Sequence, residues 1–305
     1  MKKKVKKEIE PVVKRRLLYR EGLYNSEFGS MYRKRVAYAP KLEMSAVVIF
    51  SGGQDSTTCL MYALQKYKKV YAITFNYGQK HSVELKCSKE ICKKFGVKQT
   101  VINMNFLKTV ADSALLLKDG DVNEKNEKGL PSSFVPNRNQ LFITIAHAFA
   151  QKVKASVLVT GVCETDFSGY PDCRNEFIRS IETSSNKGSD SCIFIETPLM
   201  FLNKSQTFEL AHTLGDESWD AVIRMSHTCY NGDRTKFNKW GYGCGTCPAC
   251  KLRKKGYNEF VKWWNYKVGY RGEFQADYLI SVYSKGKSGV LTKEILENFS
   301  SKVGR

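Results

Sequence analysis

The stretch that most constrains how this chain folds is Ser45-Ala-Val-Val-Ile-Phe-Ser-Gly-Gly-Gln-Asp-Ser-Thr-Thr58. Ala46 to Phe50 is an unbroken run rich in β-branched residues, which suits a strand buried on both faces of a parallel sheet. It runs straight into Ser51-Gly52-Gly53-Gln54-Asp55-Ser56, where two glycines permit a tight turn and a close backbone approach to a ligand. Ser56, Thr57 and Thr58 are placed to cap and open a helix that continues through Cys59, Leu60, Met61 and Leu64. A strand, a glycine turn and a helix N-terminus aim free N–H groups and a helix dipole at one spot, which makes an anion site. Two glycines alone would fit an ordinary turn. The hydroxyls on both sides and the carboxylate of Asp55 inside favour a phosphate. The spacing G-x-x-x-x-G-K-[ST] is absent, so the turn is not a Walker A loop.

Further strand and helix patterns alternate after it. Lys69–Phe75 reads as a second buried strand, Asn76–Gln79 as its turn, and Glu84–Phe95 as a helix ending at Gly96. Gln99–Met104, Ser156–Thr160 and Ile193–Pro198 supply three more strands, with helices over 141–150, 176–185 and 205–214. A β-α-β-α-β order with short turns implies an α/β fold with a doubly wound parallel sheet, whose ligands lie at the carboxyl ends of the strands. Ser51–Ser56 and Asn76–Gln79 both lie at such ends, so Tyr77 or Gln79 either flanks a nucleotide or belongs to a plain turn. Residues 107–130 are polar and read as a loop over the site.

Three other places carry candidate chemistry. Phe134-Val-Pro-Asn-Arg-Asn139 puts Arg138 and Asn139 at a helix start on the ligand edge, where they could hold a phosphate or carboxylate. Gly161-Val-Cys-Glu-Thr-Asp-Phe-Ser-Gly-Tyr-Pro-Asp-Cys-Arg174 follows the fourth strand with carboxylates, hydroxyls and an aromatic ring together. That set matches a guanine-like edge: Asp166, Ser168 and Asp172 offer acceptors, Tyr170 a stacking platform, and Arg174 a partner for a substrate carboxylate. Lys204 opens the helix after Glu196-Thr-Pro-Leu199, where a cation is disfavoured unless an anion is present, so it is read as a phosphate ligand or as a solvent-facing lysine.

The cysteines are the second strong signal. Cys244-Gly-Thr-Cys-Pro-Ala-Cys250 follows Cys229 after fourteen intervening residues, giving four convergent thiolates and a tight knuckle. Cys229, Cys244, Cys247 and Cys250 would form the closed tetrahedral shell of one structural zinc ion, with an iron–sulfur cluster as the alternative. The other six of the ten cysteines read mostly as buried thiols. No stretch has the apolar length of a membrane span, and the basic N-terminus lacks a hydrophobic region, so the expectation is a cytoplasmic protein whose patterned cysteines hold metal rather than disulfides.

Composition bounds the rest. With 305 residues, 42% of them hydrophobic, the chain can bury one large α/β domain plus appendages. The formal net charge is +19, and residues 1–44 hold thirteen Lys or Arg against five Glu, interleaved with four tyrosines. That pattern allows a nucleic-acid-binding arm, but ATP and carboxylates are anions too. A poorly ordered tail, or a start upstream of the one at Met44, is the favoured reading. The organisation expected is a basic extension over 1–44, the α/β domain over 45–225, a cysteine segment over 226–262 and a C-terminal extension over 263–305.

Ser51-Gly-Gly-Gln-Asp-Ser56 resembles the pyrophosphate loop (PP-loop) of the N-type ATP pyrophosphatases, an adenine nucleotide alpha hydrolase-like fold. Together with the 134–139, 161–174 and 196–199 stretches and the cysteine cluster, taken in order over residues 45–262, it is similar to the QueC family of 7-cyano-7-deazaguanine synthases. The family pattern usually has glycine where this chain has Asn137, and the Arg234–Tyr242 segment is longer than usual. The resemblance implies that Phe50 to Leu60 bind ATP, with Asp55 near its magnesium ion and Lys204 on the phosphates. It implies a small-molecule reaction of 7-carboxy-7-deazaguanine, ammonia and ATP, with Arg138 or Arg174 near the reacting carboxylate and a homodimeric enzyme. A tRNA-modifying pyrophosphatase and a non-catalytic nucleic-acid adaptor are the rival readings. The 161–174 loop weighs against the first and the intact Ser51–Ser56 loop against the second.

Overall fold

Alternation of side chains along a strand sends Ala46 and Val48 to one face of β1 (Leu42–Ile49) and Val47 to the other. All three are fully buried, on opposite sides of one sheet. Ala46, Val48, Phe50, Leu60, Val159 and Leu210 pack on one face. Val47, Ile73, Phe142, Ile143, Leu158 and Ile195 pack on the other. This two-sided burial is what an unbroken apolar strand in a parallel sheet demands.

The computed structural model describes residues 41–78, 83–111, 113, 116, 130–165 and 170–267. Residues 1–40 of the basic extension, most of the 107–130 stretch, Gln79, Asp166, Ser168 and residues 268–305 lie outside the described residues. The chain forms two compact units, Met1–Phe260 and Val261–Arg305, and the account below concerns the first.

In chain order β1 is followed by α1 (Gln54–Lys66), β2 (Tyr67–Asn76), α2 (Val83–Lys94), β3 (Lys98–Asn103) and the short α3 (Leu107–Val110). Next come α4 (Arg138–Lys152), β4 (Val157–Val159), α5 (Asn175–Gly188), β5 (Phe194–Glu196), α6 (Lys204–Thr213) and α7 (Asp216–Asp220). The strands β6 (Phe237–Asn238) and β7 (Gly241–Tyr242) precede α8 (Pro248–Lys267). The large sheet runs β3-β2-β1-β4-β5, and every pairing in it is parallel, with Val48 opposite Ala72 in β2 and Val159 in β4. The expected doubly wound α/β sheet is therefore present, and its order reverses between β1 and β4. No described helix is long and apolar enough to cross a membrane.

One buried polar cluster ties α1 to β5. Tyr62 Oη donates to Glu196 Oε1 at 3.0 Å, and Lys66 and Tyr67 hydrogen-bond the same carboxylate. Burial alone would raise the Glu196 pKa, but Lys66 and the two tyrosines outweigh it and hold the group ionised below the usual carboxylate range. The Arg234–Tyr242 segment becomes a small antiparallel hairpin of β6 and β7. It is pinned where Arg234 donates to the carbonyls of Arg224, Met225 and Ser226 at 3.1 Å each.

Candidate active site and cysteine centre

The turn after β1 is closed by its own hydroxyls. Ser51 N–H donates to Ser56 Oγ at 3.3 Å, Gly53 N–H donates to Ser51 Oγ at 3.1 Å, and Ser56 Oγ donates to the Gly53 carbonyl at 3.2 Å. The helix opens two residues earlier than Ser56, at Gln54, behind Gly53 and with no side-chain cap from its own turn. The expected cap from Ser56, Thr57 and Thr58 is corrected for a long-range reason: Thr228 Oγ1 accepts the Gln54 N–H at 3.2 Å. Gly52 has φ +92°, and a Cβ there would lie 2.5 Å from the Glu84 carbonyl oxygen and 2.8 Å from Ser88 N. Both neighbours are backbone, so only glycine fits. The N–H groups of Asp55 and Ser56, in the first turn of α1, have no intrahelical acceptor, an arrangement that suits an anion.

A cavity of about 340 Å³ adjoins this loop at the carboxyl ends of β1 and β4, the place where a doubly wound sheet binds ligands. Ser51, Gly53, Gln54, Asp55, Ser56 and Lys204 are part of its lining. Lys204 Nζ donates to Asp55 Oδ2 at 2.9 Å and Oδ1 at 3.1 Å. The anion that a cation at a helix start requires is thus Asp55. The α6 N-terminus is separately closed by a capping box between Asn203 and Gln206.

Aromatic rings form part of the remaining lining. Phe75 and Phe142 stack with ring centroids 4.3 Å apart, Tyr77 lies 5.5 Å from Phe142, and Tyr170 and Tyr230 also line the cavity. Arg138 sits over the Tyr77 ring at 5.9 Å, within cation–π range. Burial would lower its pKa, but Tyr77, Tyr170 and Asp172 outweigh that and keep the guanidinium charged. Among the described residues its Nε is buried with no hydrogen-bond partner, as are both amide atoms of Gln54 and both ring nitrogens of His227. Buried polar atoms of native proteins are normally paired. Orphans lining one cavity suit a polar ligand.

Glu84 is a functional candidate that sequence reasoning missed. It lines the cavity and, with Asp55 bound to Lys204, is the carboxylate there without an ion-pair partner among the described residues. Burial pushes its pKa up to about 7, with Arg138 pulling the other way. Its one sequence signal was a carboxylate in the first turn of a helix, which the helix dipole explains without any site.

The other expected site residues divide by place. Phe50 lines the cavity, whereas Thr57, Thr58, Cys59 and Leu60 are fully buried in α1. Asp172 accepts the Asn139 N–H at 3.1 Å, and Asn139 Nδ2 donates to Cys173 Sγ at 3.3 Å, so this pair fixes the start of α4 beside Arg138. Asn137 holds φ 58°, a left-handed conformation that asparagine tolerates better than most residues other than glycine. Tyr170 Oη lies 2.7 Å from Ser133 Oγ. Arg174 stands outside the cavity, half-exposed and 3.9 Å from Glu176. Of the six unpatterned cysteines only Cys59, Cys87 and Cys92 are buried; Cys163 and Cys173 are half-buried and Cys192 is exposed.

The four patterned cysteines converge. Their sulfur atoms all lie within 4.8 Å of one another, with Cys244 to Cys250 at 3.9 Å and Cys229 to Cys247 at 4.0 Å. The Thr246 and Cys247 N–H groups each donate to Cys244 Sγ at 3.4 Å. Such donors favour a thiolate, and the set can hold one metal ion.

Comparison with known proteins adds the family. A family model described as "Queuosine biosynthesis protein QueC" matches residues 45–261. A curated protein of Helicobacter pylori (strain Shi470), named 7-cyano-7-deazaguanine synthase, is 51% identical over 216 residues, covering 70% of this chain and 95% of the relative. One of Wolinella succinogenes with the same name is 50% identical over 218 residues, 70% of this chain and 93% of the relative. One of Lysinibacillus sphaericus (strain C3-41), again so named, is 46% identical over 229 residues, 75% of this chain and 98% of the relative. The match begins within β1 and takes in the loop, the arginine turn and all four cysteines, and the chain belongs to the QueC family.

Proposed function

We propose that this protein converts 7-carboxy-7-deazaguanine and ammonia to 7-cyano-7-deazaguanine at the expense of ATP. The observation that carries this reading is one cavity lined both by a phosphate-type loop and by a buried arginine among aromatic rings. A flat, carboxylate-bearing ring fits the arginine and the rings, and a nucleoside triphosphate the loop.

A carboxylate is a poor electrophile, and adenylation turns its oxygen into a leaving group. The carboxylate oxygen attacks the α-phosphorus, pyrophosphate departs, and ammonia then displaces AMP to leave an amide. The amide oxygen then attacks the α-phosphorus of a second ATP, pyrophosphate departs, and one N–H proton is lost. The N–H electron pair then becomes the third C–N bond, the C–O bond breaks, and AMP leaves with its electron pair. The protein's work is positioning and charge neutralisation.

In this reading Ser51 to Ser56 hold the β- and γ-phosphates, with Phe50 and the buried Thr57 to Leu60 fixing the loop from behind. Lys204 neutralises phosphate charge, and Asp55 would hold the magnesium ion that accompanies ATP. Arg138 takes the substrate carboxylate and Tyr170 stacks on the ring, with Asp166 and Ser168 reading its donor edge. Asn139 and Asp172 support Arg138, while Arg174, outside the cavity, has no contact with the substrate in this reading. Both stages release protons, and Glu84, with a pKa near 7, is suited to accept them.

The cysteine centre in this reading holds one structural zinc ion. A Zn–S bond of about 2.3 Å in a tetrahedron spaces the sulfurs roughly 3.8 Å apart, which fits the 3.9 and 4.0 Å pairs. Four protein ligands leave no open position, so the ion stabilises and takes no part in the chemistry. Purified protein incubated with ATP, magnesium, ammonia and 7-carboxy-7-deazaguanine should yield AMP and the nitrile; neither product appearing would overturn the reading.

A further inference from the structure

We infer that Thr228 and Arg253 are positioning residues that couple the cysteine centre to the phosphate loop, so that ATP affinity is set from the C-terminal segment. The inference rests on the reading that this loop holds ATP.

The helix that presents the loop has no cap of its own, yet a helix start leaves its first N–H groups without partners. Thr228, 174 residues further on, takes the first of them through the Gln54 N–H bond to Thr228 Oγ1 at 3.2 Å. The same hydroxyl oxygen accepts from Arg253 Nη1 at 3.2 Å. A hydroxyl has two acceptor lone pairs, so these two donors fill it and fix its place. The neighbouring His227 N–H donates to the Gly52 carbonyl at 2.9 Å. The two bonds grip the turn on both sides of Gly53.

Arg253 is held as firmly. It is 1% exposed, and Nη2 donates to the Val222 carbonyl at 2.6 Å. Room for it comes from Gly241, whose φ is +109° and whose added Cβ would lie 2.5 Å from Nη2. Among the described residues its Nε has no acceptor, and the residue lines the same cavity as Asp55. Thr228 directly precedes Cys229, and Arg253 follows Cys250 by one helical turn. Each clamp residue is therefore anchored by a cysteine of the centre, from opposite ends of that segment.

The test separates the hydroxyl from the methyl group. Binding of α,β-methylene-ATP with magnesium is measured by calorimetry for the wild type, Thr228→Val, Thr228→Ser and Arg253→Lys, alongside metal content and binding of 7-carboxy-7-deazaguanine. Thr228→Val leaves a buried N–H and a guanidinium N–H unpaired, and should weaken the ATP analogue by about tenfold to a hundredfold. Arg253→Lys keeps the charge but loses the fork, and should weaken it by about tenfold. Thr228→Ser should restore affinity to within about threefold, and metal content and carboxylate binding should match wild type throughout. The inference is overturned if Thr228→Val binds the analogue as tightly as wild type, if Thr228→Ser is as weak as Thr228→Val, or if the loss tracks loss of metal. Wild-type protein that does not bind the analogue would overturn the ATP reading itself, and this inference with it.

Discussion

The phosphate loop and the cysteine centre are both tight, glycine-bearing turns, yet they are held by different means. The loop takes its shape from what surrounds it. β1 enters it, α1 leaves it, the backbone of Glu84 and Ser88 crowds Gly52, and Thr228 caps its helix. The cysteine knuckle has no large sheet around it, although Cys250 lies in the first turn of α8. Two-residue strands and a hairpin adjoin it, and four converging sulfurs are its main common point. A turn embedded in a sheet keeps its geometry without a ligand, whereas a thiolate knuckle gains much of its stability from the ion. The first should therefore respond to mutation in function, the second in folding.

The largest expected effect is on the knuckle. Cys247→Ser should lower metal content from about one ion per chain to near zero, measured by elemental analysis. Stability to urea should fall by several kcal/mol (on the order of 3–5), and binding of the ATP analogue should fall with it through Thr228 and Arg253. Unchanged stability in the metal-free variant would break the contrast. Gly52→Ala attacks the loop instead. The added Cβ meets backbone atoms at 2.5 and 2.8 Å, and a positive φ adds strain of about 1–3 kcal/mol. ATP affinity should fall at least tenfold while metal content stays at wild type.

Lys204→Ala is the next smaller perturbation to the fold. It removes the partner of Asp55 at 2.9 Å and should cut kcat/KM by roughly 10²-fold, with little change in melting temperature. Glu84→Gln is the gentlest. The proton acceptor must be ionised, so wild-type kcat/KM should rise with pH and level off above the Glu84 pKa of about 7. Tyr77, Tyr230 and Arg138 also face this carboxylate. The tyrosines are shifted upward and the arginine stays charged, so none of them should titrate in that window. In Glu84→Gln the rise near pH 7 should disappear; a rise that persists would assign the protons elsewhere.

What could be learned before any coordinates follows the same contrast. The strand, the glycine pair and the cysteine spacing are local patterns, and each is found where local pattern places it. Long-range capping was not legible: nothing near Ser56 shows that Thr228 will take the Gln54 N–H, so the helix start was placed two residues late. Arg253 lies within the basic run Lys251-Leu-Arg-Lys-Lys255, and its burial depends on the room Gly241 leaves for it, which no local pattern shows. Glu84 carried only a helix-start signature, and its position in the cavity depends on Gly52 packing against its backbone. Asp172 has the right chemistry for a substrate edge, but the fold spends one of its oxygens on the start of α4.

The most direct test of the whole account is a count of AMP against nitrile, made with ¹⁵N-labelled ammonia on the purified, metal-replete protein. The account predicts two AMP released for each molecule of nitrile, with the label in the nitrile and the amide as a transient. AMP without nitrile, or a reaction that stops at the amide after one AMP, would contradict it.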